Sequence, residues 1–295
     1  MSLEPVPTMM RRARERGYAV GYFESWNVES LYGVIEAAER ARAPVIIGFN
    51  GEFLSRAERT EVERLSWYGA LGRAAAIGAN VPCGFIFNEC AQDDWTRAAV
   101  TAGFNLIMPA DAAASSHDYT RRVRELVDYA RPRDVAVEAE LGELPAGLPG
   151  FAHGDGAETD PDSVQDFVRA TGVDLLAVSV GNVHVSLSGR VALNLDRLKA
   201  IRRAVDLPLV LHGGSGIADD SLHRAIAIGV TKVNYGTILK QRYLPAVRHA
   251  LASDEPNPHA LLGMGGPEDV MIAGRSAVRE AVLERLNALG SCGRA

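Results

Sequence analysis

Residues 208–216 read PLVLHGGSG: four apolar residues lead to His212, and Gly213, Gly214, Ser215 and Gly216 follow before a helical run from Ile217. An apolar strand, a polar tip and a glycine turn opening a helix describe a βα junction, where α/β proteins keep their chemistry. The imidazole of His212 can ligate a metal there. The turn, lacking Cβ atoms, lets backbone N–H groups at a helix start approach an anion. A structural turn beside a surface histidine accounts for the same residues, because a glycine-rich βα turn alone is a weak signal. The ends of the other apolar runs carry Glu24 and Asn27, Asn50, Asn88 and Glu89, Asp111, Glu140, Asn182 and His184, and Asn234. Two histidines and several carboxylates on one mouth suit a divalent cation such as zinc, manganese or iron. Any one of these side chains, taken singly, is as well explained by satisfying a loop backbone.

Such residues converge only if the intervening elements form the right layers. Eight apolar, β-like runs are expected at 18–23, 43–49, 81–87, 104–108, 134–140, 174–180, 208–211 and 231–235, each followed by a helical stretch. Alternation in DVAVEAE puts Glu138 and Glu140 on one side of their strand. The helices include a polar, basic opening segment over 8–16, an amphipathic one over 28–42, a long one over 55–77 and a final one over 268–289. The Gly- and Pro-rich stretch 142–160 is longer than an average connection and is expected to be a functional or mobile loop. Eight strand–helix units with near-continuous apolar strands predict an α/β fold: a (β/α)8 TIM barrel with an extra C-terminal helix, in one domain over 1–295. A doubly wound open sheet is the alternative, but no GxGxxG follows the first strand.

The chain has 295 residues, 47% of them hydrophobic, 23% charged, with a formal net charge of −6. That balance gives a sizeable core and argues against a polyanion-binding surface, so no nucleic-acid partner is expected. No apolar run reaches the length of a membrane span and the first residues lack the order of a signal peptide, which predicts a cytoplasmic protein without a membrane partner. Three cysteines fit a reducing compartment. Cys83 and Cys90, seven apart, are expected in or near the core and make a poor zinc site.

The motifs GYAVGYF (17–23), IEAAERARAPVII (35–47), VEAELG (137–142), GNVH (181–184), PLVLHGGSGI (208–217), IGVTKVNYGT (228–237) and the terminal GSCGRA resemble, in order and spacing, the class II metal-dependent fructose-bisphosphate and tagatose-bisphosphate aldolases along nearly the whole chain. The resemblance implies a zinc-binding TIM barrel, usually a homo-oligomer, acting on a small carbonyl substrate. It places two zinc ligands on His184 and His212 and a glutamate beside the metal on Glu140. The substrate and its phosphate fall to Gly181, to Gly213, Gly214 and Ser215, and to Asn234, Gly236 and Thr237. The family's HLDHG, carrying the proton-shuttling aspartate and the first zinc histidine, here reads IFNEC, so the pair becomes Asn88 and Glu89. Glu89 can still coordinate a cation, whereas an amide cannot take up a proton. Ser188 stands where the family has a phosphate-binding lysine, Val185 replaces a glycine, Gly236 replaces a polar residue, and FNVNN has become FESWN. The expectation is a metal-dependent carbon–carbon lyase, most consistent with Zn2+, acting on a ketose or ketose phosphate other than fructose bisphosphate. The replacement acid/base is expected to be Glu24, Glu140 or Asp111, with Glu140 ranked first as the matched position beside the metal. The alternatives are an isomerase or epimerase passing through an enolate, and a non-catalytic sugar-phosphate-binding homologue.

Overall fold

A computed structural model describes residues 2–110, 114–142, 157–183 and 190–295. Helix α1 (Val6–Arg16) precedes β1 (Val20–Glu24), α2 (Val28–Ala41), β2 (Val45–Asn50), α3 (Gly51–Ser55), α4 (Leu65–Gly78), β3 (Cys83–Cys90), α5 (Asp93–Ala102), β4 (Leu106–Pro109) and α6 (Ser116–Ala130). There follow β5 (Ala136–Leu141), α7 (Pro161–Thr171), β6 (Leu175–Val178), α8 (Leu195–Ala204), β7 (Leu209–Leu211), α9 (Asp219–Ile228), β8 (Val230–Tyr235), α10 (Thr237–Leu251), α11 (Pro258–Leu261) and α12 (Val270–Ala288). The eight strands are parallel and close in sequence order, β8 pairing with β1, which gives the expected barrel and excludes an open sheet.

The closed barrel follows from the sequence pattern. Val, Ile, Leu and Phe fill strands that are buried on both faces, one against the barrel interior and one against the helices. The helices lie outside and turn their apolar stripes inward, as Leu31, Val34 and Ala38 do in α2. The expected C-terminal helix is α12, which packs on α2 and α10. The tail beyond it is tied down: Leu289 accepts from the Ala19 amide (3.1 Å), and Gly293 and Ala295 donate to the carbonyls of Ala41 and Arg42, both at 2.9 Å.

Two helical expectations change. The opening helix is not polar on its inner side, because Val6, Met9, Met10 and Ala13 are buried and plug the end of the barrel opposite the strand tips, against Ile46, Ile86 and Leu106. The single helix expected over 55–77 is two pieces, α3 and α4. The intervening 56–64 has only Ala57 and Val62 as apolar residues, and Val62 is exposed, so no apolar stripe holds it to the barrel. Cys83 and Cys90 are buried as expected, and burial pushes the Cys83 thiol up to about 12.

Candidate active site at the strand tips

His212 follows β7 directly, and its ring is buried in the mouth of the barrel. Its Nε2 lies 2.9 Å from Oε1 of Glu138 on β5. Among the described residues its Nδ1 makes no hydrogen bond, although Oε1 of Glu89 on β3 stands 3.1 Å away. The backbone behind the ring is fixed by Asn182, whose Nδ2 donates to the His212 carbonyl (3.0 Å) while its Oδ1 accepts from the Val180 amide (2.9 Å). In this way the GN of GNVH ties the end of β6 to the end of β7.

Successive side chains of a regular strand point to opposite faces. Asn88 and Glu89 nevertheless both serve the mouth, because the β3–β4 register slips between Phe87 and Cys90 and Glu89 takes a left-handed φ of 53°. A β-bulge of this kind re-aims a side chain, and a non-glycine residue held at positive φ costs on the order of 1 kcal/mol or more. Glu89 is further held by Asn50, whose Nδ2 donates to Oε2 at 2.9 Å while its Oδ1 caps α3 through the Phe53 amide (3.0 Å).

Behind this cluster lies a pair that the sequence reading left out of the site. Lys232 on β8 and Glu138 are both fully buried, with Nζ 2.8 Å from Oε2. Lys232 also donates to Oδ1 of Asn234 (2.5 Å), and Asn234 Nδ2 reaches Oδ1 of Asn88 at 3.5 Å. The polar contacts therefore run from Glu89 through His212, Glu138, Lys232 and Asn234 to Asn88, leaving β3 and returning to it. Period-two alternation was the available signal: Lys232 and Asn234 share a face of TKVNY, as Glu138 and Glu140 share one of VEAEL.

The electrostatics are set by carboxylates in a buried site. Burial raises the Glu138 carboxyl, but Lys232 and His212 more than reverse that and hold it below its ordinary value. Burial lowers the Lys232 ammonium, a shift only partly opposed by Glu138. Burial also works against charge on His212, yet Glu140, Glu138 and Glu89 outweigh it and push the imidazole up to about 10. Glu140, on β5 two residues beyond Glu138, thus acts on the same ring, and its amide donates to Tyr119 Oη at 3.2 Å.

Two donors held 2.0–2.2 Å from one cation at tetrahedral to octahedral angles stand about 3.0–3.5 Å apart, which is the spacing of His212 Nδ1 and Glu89 Oε1. With Glu138 fixing the opposite ring nitrogen, as second ligands around metal-bound histidines do, the donor set fits a divalent cation. Among the described residues no group of three or more His, Cys, Asp or Glu side chains is placed to hold a metal. The remaining expected ligand, His184, lies outside the described residues, as do Asp111, Val185 and Ser188.

The glycine turn is built as its composition implies. Gly213 is left-handed (φ 66°), Gly214–Gly216 form a 3-10 turn, and a Cβ on Gly214 would approach Val233 Cγ1 to 2.6 Å. Ser215 Oγ accepts from the Ile238 amide (3.2 Å), joining the turn to the start of α10, where Gly236 and Thr237 lie. Gly181 is also left-handed, at φ 89°. Asn27 is not part of the site: it caps α2 through the Ser30 amide (2.8 Å) and donates to Tyr243 Oη (3.1 Å).

The comparisons with known proteins agree with this architecture. A family model described as class II fructose-bisphosphate aldolase matches residues 4–294. A fructose-bisphosphate aldolase of Geobacillus stearothermophilus is 33% identical over 306 residues, covering 100% of this chain and 99% of that protein. The crystal structure of the YdjI aldolase from Escherichia coli K12 superposes with a TM-score of 0.83 at 33% identity, covering 99% of both chains. That of a putative fructose-1,6-bisphosphate aldolase from Coccidioides immitis gives 0.83 at 27% identity, covering 98% of this chain and 97% of that one. No helix among the described residues is long and apolar enough to cross a membrane. With a closed eight-stranded barrel, a buried histidine–carboxylate cluster at its strand tips and a family match from end to end, the chain belongs to the class II fructose-bisphosphate aldolase family and is an aldolase-type lyase.

Proposed function

We propose that this lyase is metal-dependent, with His212, Glu89 and His184 as protein ligands and Zn2+ as the metal, and that it cleaves a ketose or ketose phosphate other than fructose bisphosphate. The observation that carries the reading is the buried Nδ1 of His212, without a hydrogen bond among the described residues and facing Glu89 at ligand-pair spacing, with Glu138 holding the other nitrogen. A divalent cation bound there supplies Lewis-acid polarisation of a substrate carbonyl and several kcal/mol of stabilisation for the developing negative charge.

The chain's own residues supply the rest. Asn88 orients substrate through its amide and cannot move a proton, since a neutral amide has no useful basicity. The proton shuttle falls to Glu140, whose carboxylate is close enough to act electrostatically on His212. Gly181, the turn Gly213–Gly214–Ser215 and the segment Asn234, Gly236 and Thr237 bind substrate through backbone N–H groups and the Asn234 and Thr237 side chains. The losses at 88, 188 and 236 together support a substrate other than fructose bisphosphate, and a homo-oligomer is expected by analogy with the family.

The test is metal analysis of His212→Ala together with product analysis on a panel of phosphorylated and unphosphorylated ketoses. The variant is expected to lose bound metal and carbon–carbon cleavage together, and full metal content in it sinks the ligand assignment. Interconversion of ketoses without cleavage assigns the site to an isomerase instead.

A further inference from the structure

Between the tips of β1 and β2 and the first turns of α3 and α10 lies a cavity of about 140 Å³. Asn50 lines it and also holds Glu89, so the cavity opens beside the proposed metal ligands. Its walls combine the aromatic side chains of Trp26, Phe49, Phe53 and Tyr68 with the polar groups of Glu24, Ser25, Asn50, Arg59, Glu63 and Lys240.

Each charge that lines the cavity has a partner of opposite sign. Lys240 donates to Glu24 Oε1 (2.6 Å) and lies over the Phe53 ring at 4.4 Å. Arg59 pairs with Glu63 and also donates to the Phe53 carbonyl (3.1 Å), while Tyr68 donates to Glu63 at 2.9 Å. Two cations against two carboxylates leave no excess positive charge. One lining group does lack a partner: Ser25 is 2% exposed and its Oγ makes no hydrogen bond among the described residues.

Glu24 also lies against the end of the neighbouring strand, β8. A Cβ at position 236 would overlap its Oε2, so the carboxylate fills the space that a side chain at 236 would need, at the start of α10. A helix start attracts anions, and here an anion of the chain itself sits beside it. A phosphate monoester carries about −1.5 to −2 charges at neutral pH and is held by uncommitted cations or N–H donors. An uncharged polyol instead needs apolar walls for its carbons and exchangeable hydrogen bonds for its hydroxyls, which Ser25, Asn50 and Glu24 offer.

We infer that Glu24 is a specificity-determining residue that closes this side of the mouth to phosphate, so that the part of the substrate lodged between β1, β2 and α10 is an unphosphorylated polyol segment. The inference rests on the lyase reading above and narrows its substrate class. A repulsive element against the wrong ligand is a recognised way to set such a preference.

The test compares erythritol with erythritol 4-phosphate by ligand-observed NMR on the full-length, zinc-loaded chain. Wild type is expected to bind the polyol about tenfold or more tightly than its phosphate. Glu24→Gln is expected to shrink that gap by about tenfold, since it removes a charge facing the phosphate. Glu24→Asp keeps the gap and controls for folding. Ser25→Ala is expected to weaken the polyol and leave the phosphate unchanged. Equal binding of both ligands to wild type, or a gap unchanged in Glu24→Gln, overturns the inference. The same preparations are assayed for carbon–carbon bond formation with glyceraldehyde and glyceraldehyde 3-phosphate as acceptors. No bond formation with any donor sinks the lyase reading while the binding preference stands; bond formation favouring the phosphorylated acceptor sinks the inference alone.

Discussion

Replacing Glu138 with glutamine keeps the side chain's shape and deletes its charge, leaving Lys232 fully buried without its 2.8 Å counterion. Breaking a buried ion pair by removing one partner costs about 3–5 kcal/mol. An unfolding entropy of about 2.1 cal/mol/K per residue over 295 residues converts each kcal/mol into roughly 1.6 °C, so the metal-free protein should melt about 5–8 °C lower. A glutamine oxygen still accepts from His212 Nε2, so the ring keeps its direction but becomes less basic, and metal affinity should fall about 10- to 100-fold. The double variant Glu138→Gln/Lys232→Met removes both charges. It should recover most of the lost melting temperature and none of the lost affinity. Thermal melts of chelated protein and zinc competition titrations read the two effects separately. A single variant melting within about 2 °C of wild type, or a double variant melting no higher than the single one, refutes the account of Glu138 as counterion and ring orienter.

Four further outcomes are expected. Glu140→Gln should retain stoichiometric metal while turnover falls by about 10² or more, measured as kcat alongside metal content. Chelation should abolish cleavage and lower the melting temperature, and zinc should restore both. Gly33→Ala sets a methyl group 2.7 Å from the Arg275 carbonyl between α2 and α12 and should destabilise by about 1–3 kcal/mol in denaturant titration. The Arg275 guanidinium bonded to Glu36 holds that carboxyl below its ordinary value, with Arg279 helping. The stability this pair adds is therefore present above the ordinary carboxylate range and lost as pH falls through the lowered value; Arg275→Met should move the acid unfolding midpoint upward.

The barrel was legible because period and punctuation agree: apolar runs of strand length, each closed by a polar tip and followed by a helix, leave few other folds. His212 and the glycine turn were legible for the same reason, as a polar residue ending an apolar strand. Glu138 and Lys232 were left out of the site because each sits inside a strand, where a charge reads as a stray outward residue until the partner across the barrel is known. The role of 56–64 was missed because its charged residues favour a helix locally and only packing, here absent, decides. Asn27 was over-read, since an asparagine after a strand is as good a helix cap as a ligand. That Asn88 and Glu89 both serve the mouth depends on a bulge, which no periodicity announces.

The circuit from Glu89 through His212, Glu138, Lys232 and Asn234 back to Asn88 joins strands far apart in sequence. Its consequence is epistatic. Placing aspartate and histidine at 88 and 89 would put a new carboxylate against Asn234 and a second imidazole against His212, in a bulge that now holds a different pair. The effects of such changes will not add. A route from this site to one with a different pair at 88 and 89 therefore passes through several strands at once, with the viable intermediates limited to those that keep every buried charge matched.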